Sequence, residues 1–565
     1  MALRGIKRAV TGLAAGALLT ALLLGPLTLA WLAGLPFIPF TVFEWLIRVL
    51  PGGVVTFGLD LTLRVLQGLG FNLAETAKTA EQVLAVASLF LAGLIVGLLF
   101  FALVRSAGRM RVQGYGLAVG AAAGLFSVVT TLVRGVPVGG AAKAGLSVLA
   151  LVLFLLWGWG MARLYFVTIG GTSVGPAPGP QALPPGAPVE AQAAPPVLAR
   201  PSPGVDVRAI SRRRFIVQMG GLAATIVVVG AGVGEILRAE VTPGIAGSEG
   251  GTVQFPNAGS PVKPVPGTRP EYTPVADHYR VDIDLTTPAI GGASWRLVVD
   301  GLVAKPLSLT LDQLKSGYKA VEQFATLSCI SNMVGGPFIG TTLWTGVPLR
   351  DVLAAAQPTP DARYAHMPAP DGYGEEIDIA LVNSDPRILL AYAWDRQPLT
   401  RQHGFPLRLY IPDRYGMKQP KWITTITLTA DSTPGYWVAR GWDEKAEVKT
   451  TSVIDTVAAK SLITRGGQTL VPIGGMAYSG AKGISKVEIQ IDQGPWQAAE
   501  LRRPLSELTW VLWRFDWPFS VGTHTLTIRA YDGQGRLQET KEVPPSGVAA
   551  TGLYSEQRTI APPGK

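Results

Sequence analysis

The chain holds one cysteine, Cys329, and its surroundings suit a ligand. The run is Phe324-Ala325-Thr326-Leu327-Ser328-Cys329-Ile330-Ser331-Asn332-Met333-Val334-Gly335-Gly336-Pro337. A short apolar strand that ends in a cysteine and enters a glycine-rich turn puts a sulfur where backbone can approach a ligand closely. A soft thiolate is also the ligand that a high-valent, electron-transferring metal selects. A buried structural cysteine would look similar, because a free thiol packs as a small hydrophobe. The run alone leaves both readings open. With a single cysteine, no intramolecular disulfide can form.

Around this run the sequence reads as short strands punctuated by Gly, Pro and Asp. Ser294–Asp300, Leu407–Ile411 and Ile423–Thr429 read as strands, and Leu349–Ala356 as a short helix with Pro348 at its start. From about Thr450 the pattern is purely β. Val487–Ile491 alternates, Trp513, Phe515 and Trp517 share one face, and Thr525–Tyr531 alternates again before an Asp-Gly turn. Short alternating strands at regular spacing predict a small β-sandwich.

The first third is different. The chain is 565 residues long, 48% hydrophobic and only 16% charged, which predicts several domains with some of the chain in a membrane. Apolar runs long enough to span a bilayer lie near Ala9–Leu35, Val83–Val104, Gly114–Val133 and Leu146–Val167. Arg4, Lys7 and Arg8 precede the first run, and Arg105, Arg109 and Arg111 separate the second from the third. By the positive-inside rule these ends are cytoplasmic, and four helices return the chain to the cytoplasm near Tyr165. Pro36–Ala80 is apolar but broken by Glu44, Arg48, Asp60 and Arg64, so it reads as an interfacial amphipathic excursion on the outer face, with two further spans as the alternative. The net charge of +10 is scattered rather than gathered into a stripe, so nucleic acid is not an expected partner.

Residues 170–210 are Pro, Ala and Gly with almost no charge, a linker by composition. Ser211-Arg212-Arg213-Arg214-Phe215-Ile216 opens the next apolar run and resembles the twin-arginine signal that routes folded proteins across the membrane. Residues 211–235 are then expected to persist as an anchor helix, which places everything after Glu235 outside. This agrees with the orientation set by the basic helix ends. A Gly/Pro-rich linker is expected over 236–270.

Several motifs together resemble the sulfite oxidase family. Thr326-Leu-x-Cys329-x-x-Asn332 looks like that family's molybdenum-ligand loop, and Trp344-Thr-Gly-Val-Pro-Leu349 its W-x-G-V-P-L segment. His403-Gly-Phe-Pro-Leu-Arg408-Leu-Tyr-Ile-Pro412, then Tyr415-Gly416-Met-Lys418-Gln-Pro-Lys421-Trp422, resembles its H-G-[FY]-P-x-R stretch and the later G…K-W stretch. The β-rich tail resembles the immunoglobulin-like dimerisation domain of sulfite oxidases and plant nitrate reductases. The resemblance implies an α+β molybdopterin domain over 271–448, an immunoglobulin-like sandwich over 449–565, and the membrane domain at 1–169. It also implies a molybdenum–molybdopterin cofactor with Cys329 as catalytic metal ligand. Cofactor contacts would come from His278, Tyr279, Arg280, His403, Arg408, Lys418, Gln419 and Lys421, and Tyr392 would be the active-site tyrosine. An Arg and a Lys suit the phosphate that ends the pterin.

One departure matters. Sulfite oxidases place two arginines directly after the Asn of the cysteine loop, and here Met333 and Val334 stand there. An apolar pair cannot neutralise sulfite. The implied activity is two-electron oxo-transfer on a small S- or N-oxide, with sulfite oxidation or a non-catalytic exported module as alternatives. All four histidines (278, 366, 403, 524) fall in the exported part, so no haem is expected within the membrane helices. The expected partners are the small substrate, the cell membrane, an electron-transfer partner (quinone pool or cytochrome) and a second copy of the chain.

Export by the twin-arginine route has a direct consequence. Arg212→Lys combined with Arg213→Lys keeps the charge and removes the recognition element, so export of the C-terminal half should be lost in protease-accessibility assays on whole cells. Full accessibility in the double variant would show that ordinary insertion suffices.

Overall fold

The computed structural model describes residues 2–33, 35–50, 73–104, 108–133, 140–169 and 254–562, with the single positions 54, 58 and 61. The linker 170–210 and the twin-arginine segment 211–235 lie outside the described residues. The chain divides into two units: residues 1–45 with 83–239, and residues 46–82 with 240–565.

Across the N-terminal third, apolar sequence becomes long helix, with residues 46–82 of it belonging to the second unit. These are α1 (Ala2–Leu32), a short amphipathic α2 (Ile38–Val49), α3 (Leu73–Leu103), α4 (Arg109–Val133) and α5 (Gly140–Thr168). Four stretches are long and apolar enough to cross a membrane: Gly5–Leu32, Lys78–Leu103, Arg109–Val133 and Lys143–Thr168. Large side chains such as Leu22, Leu91, Leu125 and Val148 point outward, while small residues meet inside. A Cβ built on Gly120 would fall onto the Phe154 carbonyl, and one on Gly158 onto the Gly116 carbonyl; Gly12 and Gly97 approach each other in the same way. Such close backbone approach through glycine supplies dispersion energy, the kind of packing by which helices associate where no hydrophobic drive exists between them. The interior polar groups are satisfied locally, as where Trp157 Nε1 donates to Thr20 Oγ1 at 3.2 Å.

The second unit contains two further layers. One sheet runs in the order Leu307–Leu309, Leu297–Gly301, Thr425–Thr429, Tyr364–Pro368, Gly374–Asp378; the pairing of Leu297–Gly301 with Thr425–Thr429 is parallel and the rest antiparallel. The other is antiparallel: Val321–Ser328, Ile339–Pro348, Leu389–Trp394 and Gln397–Pro398, with Arg408–Tyr410 also on Leu389–Trp394. The first of the three predicted strands starts only at Leu297, because Trp295 N closes a turn onto the Gly291 carbonyl at 3.1 Å. The helix Leu349–Ala356 forms as expected and buries Leu349, Val352, Leu353 and Ala356 in a core shared with both sheets.

Beyond residue 450, a sheet of Thr451–Val457, Gln468–Tyr478, Val511–Pro518 and Glu500–Leu501 faces one of Gln497–Ala498, Ile484–Ile491, Gly522–Asp532 and Tyr554–Ile560. Their inward residues, among them Ile473, Trp513, Val487 and Ile528, form one core. This is the expected β-sandwich. The expectation of a linker over 236–270 needs correcting for residues 254–270. Val265 is buried, Asn257 Nδ2 donates to the Arg503 carbonyl, and the Arg269 guanidinium makes a two-pronged ion pair with Asp455. These contacts lie some 190 to 250 residues away along the chain, which composition cannot reveal.

Helix packing through glycine gives a test. Gly120→Leu should lower the thermal stability of the detergent-solubilised protein by roughly 1–3 kcal/mol through overpacking. The outward-facing Leu125→Ala should change it little. Equal effects of the two would show that the α4–α5 contact is not close-packed.

Candidate active site

Cys329 is the first residue after the strand Val321–Ser328, and a tight turn holds it. Its amide donates to the Phe338 carbonyl at 2.9 Å, and the Asn332 amide donates back to the Cys329 carbonyl at 3.2 Å. Asn332 Oδ1 accepts from Phe338 N at 2.9 Å, so this asparagine staples the turn rather than facing a ligand. The strand is also fixed from behind: Tyr478 Oη donates to the Thr326 carbonyl at 3.1 Å and Trp510 N to Thr326 Oγ1 at 3.0 Å. The thiol lies 3.0 Å from Ser331 Oγ, and burial pushes its pKa up.

Cys329 opens on a cleft lined mostly by apolar and aromatic side chains with a few polar groups among them, the make-up of a small-molecule or cofactor site. Of the residues proposed from sequence, Tyr279, Cys329, His403, Arg408, Gln419 and Lys421 line it. Gly404, at φ +109, makes this wall possible: a Cβ there would press on both Arg408 and Lys421 at 3.1 Å. His278 stands behind the wall, 4.6 Å from the Trp394 ring and 5.6 Å from that of His403. Burial, then the Arg408 charge, pushes His278 down to about 3, and burial, His278 and Arg408 depress His403 too. Both imidazoles are therefore neutral at neutral pH.

Arg408 is the centre of the wall. It is buried, over the rings of Trp344 at 5.1 Å and Trp394 at 5.4 Å, and Nη1 donates to the His403 carbonyl at 3.1 Å. No carboxylate pairs with it among the described residues, and its Nε has no partner. Burial lowers it only to about 10, so it stays charged. Gln419 is held through Nε2 by the Ile411 and Arg414 carbonyls, which leaves its Oε1 unpaired. Lys421 instead bonds Asp282, whose other oxygen accepts from Arg280 Nε at 2.5 Å. Arg280 thus reaches Asp282 and Thr287 and does not line the cleft.

Two proposed residues are placed elsewhere. Tyr392 belongs to the opposite face of its strand: Leu389 and Ala391 join the cluster that contains Cys329, whereas Leu390 and Tyr392 enter the other core. Its ring lies under Lys315 Nζ at 5.2 Å. Lys418 ends the 3-10 turn Gly416–Lys418 and turns away to an ion pair with buried Glu375. Sequence reading also missed Asp371 and Tyr373, which line the cleft from one tight turn in which Gly372 has φ +79. Tyr373 Oη donates to the Met417 carbonyl. A Pro-Asp-Gly-Tyr turn marks a sharp bend, and nothing in it marks a cleft. Trp437 and Trp442 also line the cleft, their rings 5.7 Å apart and packed against the core cluster that contains Ile330. Met333 and Val334 themselves do not line it.

Residues 284–437 match an oxidoreductase molybdopterin binding domain, and residues 443–544 a Mo-co oxidoreductase dimerisation domain. The chain is 28% identical to sulfite oxidase of Gallus gallus over 306 residues, covering 46% of this chain and 66% of that one. It is 29% identical to nitrate reductase [NAD(P)H] of Hordeum vulgare over 325 residues, covering 46% and 36%. The solved sulfane dehydrogenase SoxCD of Paracoccus pantotrophus aligns with a TM-score of 0.46 at 19% identity, over 57% of this chain and 92% of that one. The chain thus spans between about a third and two thirds of the length of these curated relatives.

The cleft's chemistry fits a molybdopterin. Arg408 is a buried cation lacking an anion, Gln419 Oε1 is a buried acceptor lacking a donor, and Cys329 is a thiol at the cleft wall. Among the described residues no group of three His, Cys, Asp or Glu could hold a metal by itself, so Cys329 would be the protein's own ligand and the pterin would supply others. Cys329→Ser should lose metal and turnover while thermal unfolding moves by less than about 1.5 kcal/mol, as a near-isosteric change. Full metal content measured on the purified variant would remove the thiolate from the assignment. Matched domains and cleft chemistry agree: this chain carries an oxidoreductase molybdopterin binding domain followed by a Mo-co oxidoreductase dimerisation domain, and it is similar to sulfite oxidases and nitrate reductases.

Proposed function

We propose that the protein is a membrane-anchored, outward-facing molybdoenzyme that reduces a small S- or N-oxide, with electrons from a quinol or a reduced cytochrome. The reaction is oxide plus two electrons and two protons to the deoxygenated product and water. The bound cofactor would supply the two-electron store and the site of oxygen-atom exchange. Arg408 would hold the pterin's phosphate as a charge-assisted pair, Gln419 Oε1 would accept from its ring, and Tyr279 and His403 would wall it from water. Orientation follows from the basic residues at the cytoplasmic helix ends and from the twin-arginine segment. The dimerisation-type sandwich supports a homodimer.

The composition of the mouth beside Cys329 carries the choice of substrate. Ile330, Ser331, Asp371, Tyr373, Trp437 and Trp442 are among the residues that line the cleft with Cys329. Lys421 is engaged by Asp282, and Arg414, near Asp413 and Glu447, does not line the cleft. An entering anion would lose hydration and meet aromatic rings and an acidic group where a pairing cation would be needed. Each charge-assisted hydrogen bond it fails to gain is worth roughly 1.5–3 kcal/mol, about one to two decades in specificity. A neutral oxide loses little in the same transfer and gains aromatic contact.

Steady-state kinetics with an artificial dye, on sulfite and on a panel of S- and N-oxides, tests this. We expect kcat/KM for the best oxide to exceed that for sulfite by at least about tenfold. A specificity constant for sulfite above every oxide would overturn the assignment and require a cation to reach the mouth.

A further inference from the structure

Oxide reduction consumes two protons at a buried site, and the choice of a proton donor rests on that reading. The cleft offers few groups that can hold such a proton. Tyr279 and Tyr373 are pushed well up by burial, and the Tyr373 hydroxyl is already donated to the Met417 carbonyl. His403 is kept neutral. Asp282 is occupied by Arg280 and Lys421 together. Asp371 is left. It is 6% exposed and lines the cleft, its Oδ1 accepts from Tyr373 N at 3.0 Å, and no Lys or Arg bonds its carboxyl among the described residues.

What holds Asp371 in place comes from far away in the chain. Arg48 Nη2 donates to the Asp371 carbonyl at 2.9 Å and to Asp284 Oδ1 at 3.2 Å. A Cβ on Gly372 would come within 3.2 Å of Arg48 Nη1, so the guanidinium lies directly on the turn that carries Asp371 and Tyr373. Arg48 belongs to the segment between the first two membrane helices. The charged groups facing Asp371 are Asp284 and Arg48, and beyond Tyr373 lies Glu375, which is tied to Lys418. Asp284 holds the ion pair with Arg48 and the nearby Asp371 carboxyl has none, an arrangement that favours keeping a proton on Asp371.

We propose that Asp371 is the proton-holding residue of the cleft, and that Arg48 is its positioning residue, contributed by the segment between the first two membrane helices. In the reductive direction the Asp371 O–H bond breaks as a bond to the oxygen leaving the substrate forms. Solvent supplies the second proton and reprotonates Asp371, and the electrons come from the quinol or cytochrome donor. Burial, then Asp284, raises Asp371 to about 6. The acid form is present below that pH and is lost as pH rises through it, so turnover should fall on the alkaline side of about pH 6.

The test uses the full-length holoenzyme in liposomes, with sulfoxide reduction by a reduced dye and, separately, infrared titration of buried carboxyl bands. Asp371→Asn should lower kcat by roughly a hundredfold, leave KM nearly unchanged and abolish the alkaline limb. Arg48→Gln removes the cation and should move the limb and the carboxyl band to higher pH, with Arg48→Lys restoring most of the shift. Asp284→Asn removes the like charge and should move both to lower pH. These opposite signs separate electrostatics from simple misfolding. If the wild type reduces oxides and Asp371→Asn keeps both limb and rate, the role of Asp371 falls and the function stands. If no oxide is reduced but the band vanishes in Asp371→Asn and shifts in opposite directions in the other two, the carboxyl and its clamp stand and the substrate reading falls.

Discussion

Arg408 carries a full charge into a buried place at the cleft wall, without a carboxylate to meet it among the described residues. An unanswered buried charge costs several kcal/mol, so the surrounding structure is arranged to bear that cost until an anion arrives. Two tryptophan faces, one backbone carbonyl and two neutral imidazoles do this. The arginine's charge adds to burial in keeping the imidazoles neutral, and Gly404 has no side chain because Arg408 and Lys421 need its space. Much of the cleft wall follows from accommodating this one guanidinium.

The opposite wall obeys a different constraint, that of position. Cys329 is held by its own turn, and the strand before it is bonded through Thr326 to Tyr478 and Trp510 of the following domain. Ser506 Oγ donates to the Phe324 carbonyl at 2.6 Å on the same strand. The sandwich therefore does more than add mass: it fixes the strand that presents the sulfur. Within the long apolar helices the logic inverts, since large side chains face out and glycine faces in, where backbone contact replaces hydrophobic burial.

Sequence order alone singled out Cys329, Arg408, Gln419 and Lys421, which the fold brings to one cleft, because motifs of fixed spacing survive on short, rigid elements. It was also enough for four helices long and apolar enough to cross a membrane, the helix Leu349–Ala356 and the alternating strands of the sandwich, whose hydrophobic patterns are local. Tertiary structure decided which side of an element a residue serves. Tyr392 and Ala391 are neighbours in sequence, yet the two-residue period of a strand sends them to different cores. Lys418 and Lys421 are three apart, and the end of a 3-10 turn gives one to Glu375 and the other to the cleft wall. Asp371, Tyr373 and Arg48 carry no local signature at all. The contact of Arg48 with Asp371 spans 323 residues, and a meeting over that distance is set by the packing of whole elements rather than by any neighbouring residue type.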